Sequence, residues 1–171
     1  GGTISENDAK ELGGGVDNEG TVTINGGEIK GNIAKKGGSG VYHEKGQFNL
    51  KGATKIIDNG ANKNDNVRFA SKKGYITIEG KIMNSIGIKQ DFYHAVTKAA
   101  EGYEITQEDV NCFKADDENA HLNLVNNEII YIENKSDLGQ MEQINGTTYY
   151  VNKNGMASAE ILGNTETWLN T

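Results

Sequence analysis

Apolar side chains in the first part of the chain fall on alternate positions, as in Val22 and Ile24, Phe48 and Leu50, and Ile76 and Ile78. Such alternation predicts short strands with one buried face and one face in water. Glycine or asparagine closes each run, as expected where the chain must turn sharply and a positive φ is often needed. The runs themselves recur. Gly1-Gly2-Thr3-Ile4-Ser5-Glu6-Asn7-Asp8-Ala9 returns as Gly26-Gly27-Glu28-Ile29-Lys30-Gly31-Asn32-Ile33-Ala34, and more loosely from Gly52 to Ala61. Val16, Val41 and Val67 then align, followed by the turn glycines Gly20, Gly46 and Gly74 and the alternating runs that begin at Thr21, Gln47 and Tyr75.

The spacing is 25 residues from Ile4 to Ile29 and 27 from Ile29 to Ile56. A unit of that length holds about three short strands; it is too short for a helical-repeat pair and too polar for a leucine-rich coil. One coil cannot bury its own inner face. Stacked coils can, because their strands pair in parallel and their inward aliphatics form continuous columns. The expected fold class is therefore all-β for most of the chain, a solenoid of about three coils over residues 1–80.

The segments Gly1–Val16 and Gly26–Tyr42 resemble the glycine- and asparagine-rich coils of right-handed parallel β-helices in large bacterial surface proteins and adhesins, a pectate-lyase-like fold. The resemblance implies a right-handed parallel β-helix, an extracellular or bacterial cell-surface location and a scaffold role. The third unit departs from the pattern: Ala53 replaces Gly27, Asn62-Lys63-Asn64-Asp65 replaces the glycine cluster, and Val67-Arg68-Phe69 replaces Val41-Tyr42-His43. Terminal repeats are commonly atypical, so the stack is expected to approach its end here. Gly1 and Gly2 already lie within a repeat, and further coils upstream in the same polypeptide are expected to cover the strand edges of the first.

Beyond residue 80 glycine thins out. Lys81–Lys89 reads as one more strand or an irregular last coil. Thr106 with Asp109 forms a capping-box pattern that opens a short helix through Val110, Cys112 and Phe113. Two apolar runs, His121–Val125 and Glu128–Glu133, flank Asn126-Asn127, a two-residue hairpin turn. Residues 81–134 are thus expected to form a small α+β cap over the apolar end of the stack; in the bacterial surface proteins that this chain resembles, a similar segment follows the final coil.

Residues 135–171 begin with a polar linker. Met141–Met156, with Ile144-Asn145-Gly146, Tyr149-Tyr150 and Asn154-Gly155-Met156, resembles one copy of a cell-wall-binding or glucan-binding repeat and predicts a terminal β-hairpin. In that family aromatics of neighbouring copies cage the ligand, and a tryptophan usually stands where this chain has Met141. The resemblance makes Tyr149, Tyr150 and Trp168 the candidate contacts for a cell-wall or host glycan.

Charge and chemistry narrow the alternatives. The chain has 171 residues, a net charge of −7 and a single cysteine. That balance argues against nucleic acid and anionic membrane as partners, and no stretch is apolar enough to span a membrane. Cys112 can form no intrachain disulfide and is expected in the core. A polysaccharide-cleaving β-helix would stack carboxylates up one outer face, yet Thr3, Glu28 and Lys55 share one column and Asp17, Tyr42 and Arg68 another. Asp58, Asn64 and Asp65 have oxygens suited to calcium, but an Asn/Asp-rich turn is the simpler reading. The glycine runs at Gly13–Gly15 and Gly37-Gly38 lack the following Lys-Ser/Thr of a phosphate loop. His43 is expected to point outward or flank a turn, and His94 and His121 carry no nearby motif. No catalytic residue, metal ligand or cofactor is assigned. The expected role is a non-catalytic adhesin-type scaffold or ligand-presenting stalk, whose partner is a glycan or a host surface protein. The alternatives are a polysaccharide lyase or hydrolase with its active coils upstream, and a glycan-binding module.

Overall fold

The computed structural model describes residues 1–90 and 94–133 and, beyond them, three strands named below. The repeat folds into coils. The first comprises β1 (Thr3–Ser5), β2 (Asp8–Ala9) and β3 (Val16–Asn18) and runs into β4 (Thr21–Lys30); β5 (Ile33–Ala34) and β6 (Val41–His43) run into β7 (Gln47–Ile56), and β8 (Val67–Phe69) into β9 (Ile76–Ile82). The last strand of one coil and the first strand of the next are therefore one continuous strand in β4 and in β7. The corner is turned inside the strand: Gly26 and Gly27 have φ of 74° and 103°, and the β4–β7 register slips between Asn25 and Gly27. A side chain at Gly27 would also meet the Gly2 carbonyl oxygen at 2.7 Å.

Successive coils pair in parallel with like residues in register, Ile4 on Ile29, Val16 on Val41, Val41 on Val67, and Ile24 on Leu50. The result is a parallel β-solenoid of about four turns. Its last turn is abbreviated. β10 (Ile86–Ile88) pairs through Ile86 with Ile56 and through Ile88 with Val67, so three residues span a corner that the preceding coil crosses in a long loop. β11 (His94–Ala95) and β12 (Thr97–Ala99) follow, with β12 parallel to β9.

The chain then closes the stack. Helix α1 (Gln107–Cys112) starts at the Thr106 cap, where the reciprocal bonds of a capping box are present, and β13 (Phe113–Ala115) pairs with β10. β14 (Ala120–Val125) and β15 (Glu128–Glu133) form an antiparallel hairpin, turned by Asn126 and Asn127 at φ of 49° and 62°, and β11 joins its edge. Farther on, β16 (Gln140–Ile144), β17 (Thr147–Val151) and β18 (Ala157–Ala159) form a three-stranded antiparallel sheet. The expected hairpin thus gains a third strand, Ala157-Ser158-Ala159, a run of three small residues too short to read as a strand from alternation.

The core consists of the inward columns. Along Ile4, Ile29, Ile56, Ile86 and Phe113 the exposure is 39%, 3%, 0%, 0% and 5%. Each fully buried member stabilises the stack by about 1.5–3 kcal/mol. A column is only as well covered as its neighbours allow, which is why its first member remains half in water.

One corner of the coil is held by amides rather than aliphatics. The Asn7 N–H and side-chain amide both donate to Asn32 Oδ1, at 3.1 and 2.8 Å. Asn32 donates likewise to Asn59 Oδ1, at 3.1 and 3.0 Å, and Asn59 to Asn66 Oδ1, at 3.0 Å for both bonds. Asn66 then gives its N–H and amide to the Asp116 carboxylate at 2.8 and 2.7 Å. Because β10 cuts the corner, the abbreviated turn has no asparagine of its own; Asn66 fills that rung, and Gly87 leaves the space, since a Cβ there would collide with both Asn66 and Asp116.

Asn59 is buried and satisfies groups in two coils, including the Ile29 and Ile57 carbonyls at 2.9 Å each. Asn59→Ala should therefore cost about 2–4 kcal/mol by leaving several buried groups unpaired, whereas Asn7→Ala at the exposed end should cost under about 1 kcal/mol. Urea unfolding of the two variants checks this; equal losses would mean that the ladder does not act through burial.

Candidate functional site

Polar groups inside a fold are the usual raw material of a site, so their partners decide what they can do. His43 is 2% exposed. It points inward, contrary to the outward position expected from its repeat neighbours. Val41, Tyr42 and His43 alternate along β6, so His43 shares the inner face with Val41, and its column partners in register are Asn18 and Phe69. Its ring lies 5.9 Å from that of Phe48 and 5.8 Å, edge-on, from that of Phe69. Asn18 Nδ2 lies 3.0 Å from His43 Nδ1. Burial lowers the His43 pKa despite the contact with Asn18, so the imidazole is held neutral as a core ring.

The buried carboxylate Asp109 accepts from the Ile82 N–H at 2.9 Å, the Thr106 N–H at 2.9 Å, the Thr106 hydroxyl at 2.8 Å and the Tyr103 hydroxyl at 2.8 Å. Burial alone would raise its pKa, but these donors outweigh that and lower it. The Tyr103 phenol is pushed up to about 12 by burial and by its bond to Asp109. Asp109 therefore caps the helix and also takes the N–H of Ile82, at the point where α1 replaces another strand. Asp116 does the corresponding work at the amide corner, and burial raises its pKa to about 6 against the bonds from Asn66.

The remaining candidates are spent in similar ways. Cys112 is half-buried rather than fully enclosed, with Sγ 3.5 Å from the Ile82 carbonyl, and burial raises its thiol pKa. That is the environment of an unreactive thiol. Asp65 accepts from the Gly38 and Ser39 N–H groups at 3.1 and 2.9 Å and from the Ser39 hydroxyl at 2.7 Å, which makes it a staple between coils. Among the described residues no cluster of three His, Cys, Asp or Glu side chains is placed to hold a metal ion.

The outer face of β4, β7, β9 and β12 is different in kind. Thr23, Asn49, Thr77 and Lys98 form one row across four strands, with Asn49 Nδ2 donating to Thr23 Oγ1 at 3.3 Å. Tyr75 is 36% exposed, and Lys98 Nζ sits 4.4 Å from its ring centre. Charged neighbours are paired: Lys51 with Glu79 at 3.2 Å, and Glu28 with both Lys30 and Lys55 at 2.6 and 2.9 Å. The bonds from Lys30 and Lys55 lower the Glu28 pKa. Neither the Tyr75–Lys98 pair nor the amide corner was among the candidates read from the sequence. The pairing of asparagines at the 25-residue period was the available signal for the corner.

Tyr149 and Tyr150 lie on β17, the middle strand of the last sheet. They stand opposite Glu142 and Met141 on one side and Ala159 and Ser158 on the other. Trp168, the third expected glycan contact, lies outside the described residues. No helix among the described residues is long and apolar enough to cross a membrane. No family model, curated protein or solved structure matches the chain. What the fold defines is a class, the parallel β-solenoids.

Asp116 gives this class member a pH signature. Its folded pKa is raised, so the folded state holds the proton more tightly than the unfolded chain between about pH 4 and pH 6. The stability it contributes is present below the unfolded value and lost as pH rises through the folded one. Relative to the parent, Asp116→Asn should therefore gain about 1–2 kcal/mol on going from pH 4 to pH 7.5. Paired melts at the two pH values test this, and a relative stability independent of pH would remove the assignment.

Proposed function

We propose that this chain is a non-catalytic scaffold, part of a bacterial cell-surface or secreted β-helical protein that serves as an adhesin-type stalk or ligand-presenting surface. The observation that carries the proposal is how the polar groups are used. Asn7, Asn32, Asn59, Asn66, Asp116 and Asp109 are committed to joining coils and closing the stack, while the outer face carries regular rows of short polar and ion-paired side chains. A stalk needs rigidity along its axis and a wettable, regular exterior, and this division supplies both.

Partner recognition falls to exposed side chains. The glycan reading retains one support, the adjacent tyrosines Tyr149 and Tyr150 within the repeat-like segment at β17. If that sheet holds the chain on cell-wall polysaccharide, Tyr149→Ala or Tyr150→Ala should reduce retention at least tenfold without changing the melting of the solenoid. Unchanged retention would rule out the glycan contact. For the scaffold reading, fractionation of a producing culture with an antibody to this chain should place the native polypeptide in the wall fraction or the medium. A polypeptide confined to the cytoplasm would overturn it, as would release of reducing or unsaturated ends from a polysaccharide by the purified chain.

A further inference from the structure

Charge is layered along the stack. Residues 28–73, which span most of the second and third coils, hold ten of the 17 Lys and Arg and four of the 24 Asp and Glu, a balance of +6 within a chain of −7. Around much of the surface opposite signs meet from coil to coil, as in Glu19 with Lys45 at 2.8 Å, Glu28 with Lys55 at 2.9 Å and Lys89 with Asp117 at 3.2 Å. One corner departs from this arrangement.

Ala9 pairs with Ala34, and the Lys35 N–H donates to the Ala9 carbonyl at 3.1 Å. Lys10 and Lys35 therefore follow one another at the strand spacing of about 4.8 Å. The loop of the third coil is tied to the same corner at both ends: the Gly60 N–H donates to the Asn32 carbonyl at 2.8 Å, and Asp65 accepts from the Gly38 and Ser39 N–H groups. Residues 61–64, with Lys63, thus run alongside residues 33–37. Arg68 joins them, because its guanidinium lies against Gly37, where a Cβ would collide with it. Lys10, Lys35 and Lys63 are exposed, and none has an ion-pair partner among the described residues. Of the acids nearby, Glu11 is taken by Lys36 and Asp65 by the backbone bonds above, which leaves Asp8. Like charges on neighbouring strands repel, so this corner carries a repulsion that an anion would relieve.

We propose that the corner is a docking ridge for an acidic glycan chain. Its sulfate or carboxylate groups meet Lys10, Lys35, Lys63 and Arg68, and its hydroxyls meet the exposed amides of Asn62 and Asn64. The shape of the charge selects this occupant. Outside residues 28–73 the chain holds seven Lys and Arg against 20 Asp and Glu, so a bilayer or a nucleic-acid duplex, being broad, would press on acidic coils as well. A single nucleic-acid strand is held by stacking its bases on aromatic side chains, whereas residues 61–64 are Ala, Asn, Lys and Asn. A slender sugar chain crosses the coils along the ridge and stays beside the cations. This surface rests on the ligand-presenting role proposed above and gives it a partner. Culture fractionation tests that role and glycan binding by the purified chain tests the ridge, so either can fail alone.

The test measures binding of heparin and hyaluronan fragments to the full chain, with dextran as a neutral sugar and an oligothymidylate as a nucleic-acid strand. Heparin should bind, with an affinity that falls with salt at a log–log slope of about −2 to −3, as release of counterions at three or four contacts requires. Binding of hyaluronan as well would show that carboxylate serves, and binding of heparin alone that the ridge selects sulfate; both support an acidic glycan. Combined Lys10→Gln, Lys35→Gln and Lys63→Gln should weaken heparin binding at least about tenfold and flatten the slope by about 2, with melting no lower than that of the parent. Combined Lys73→Gln, Lys98→Gln and Lys114→Gln removes the same charge elsewhere and should bind as the parent does. The proposal is overturned by equal losses in the two triple variants, by dextran binding as tightly as heparin, by tighter binding of the oligothymidylate, or by no binding of either acidic glycan at low salt.

Discussion

A parallel solenoid depends on one constraint: each coil must present to its neighbour, in register, a backbone edge, an inward apolar row and a corner polar group. None of the three suffices alone. The aliphatic columns supply most of the free energy but tolerate sliding, and the backbone bonds repeat along the strand and do not by themselves fix which residue sits on which. The amide corner does fix it, because each asparagine must both donate to the coil ahead and accept from the coil behind. Ile29, Ile56 and Ile86 are fully enclosed only because that register holds.

The same constraint explains the C-terminal elements. Where a stack ends, its last coil has donors without acceptors and an apolar row without a cover. Here the answer is compact. β10 shortens the final turn, Asn66 moves into the vacant rung, and a carboxylate, a group with acceptors only, ends the ladder. Asp109 combines two duties, as the third residue of a capped helix and as the acceptor for the edge of β9. The short helix is held in place mainly by these bonds and by Val110 and Phe113 against the core, since a helix of this length has little stability of its own.

A fold of this kind separates inside from outside along every strand. His43 illustrates how an interior position is used for stacking: a residue often found in active sites is here a neutral ring between two phenylalanines. The exterior carries Thr, Asn and paired charges, which occupy it without disturbing the coil beneath. This is the physical basis for the proposal that the molecule is a scaffold with recognition on its exterior.

The sequence alone determined the repeat, its period, the inward faces of the strands, the capping box at Thr106 and the hairpin at Asn126-Asn127, because these depend on residues close together in the chain and on strict alternation. Tertiary structure decided what depends on contact between distant residues. The union of adjacent segments into the single strands β4 and β7 follows from how the coils stack. So do the placing of Asn66 over Asn59, its termination at Asp116 fifty residues away, and the meeting of Asp109 with Ile82. The inward turn of His43 could have been read from its alternation with Val41, yet only its packing between Phe48 and Phe69 shows why a polar ring is stable there. Local pattern specifies which face of a strand is buried; it does not specify which partner a buried polar group will find, because that partner comes from another coil.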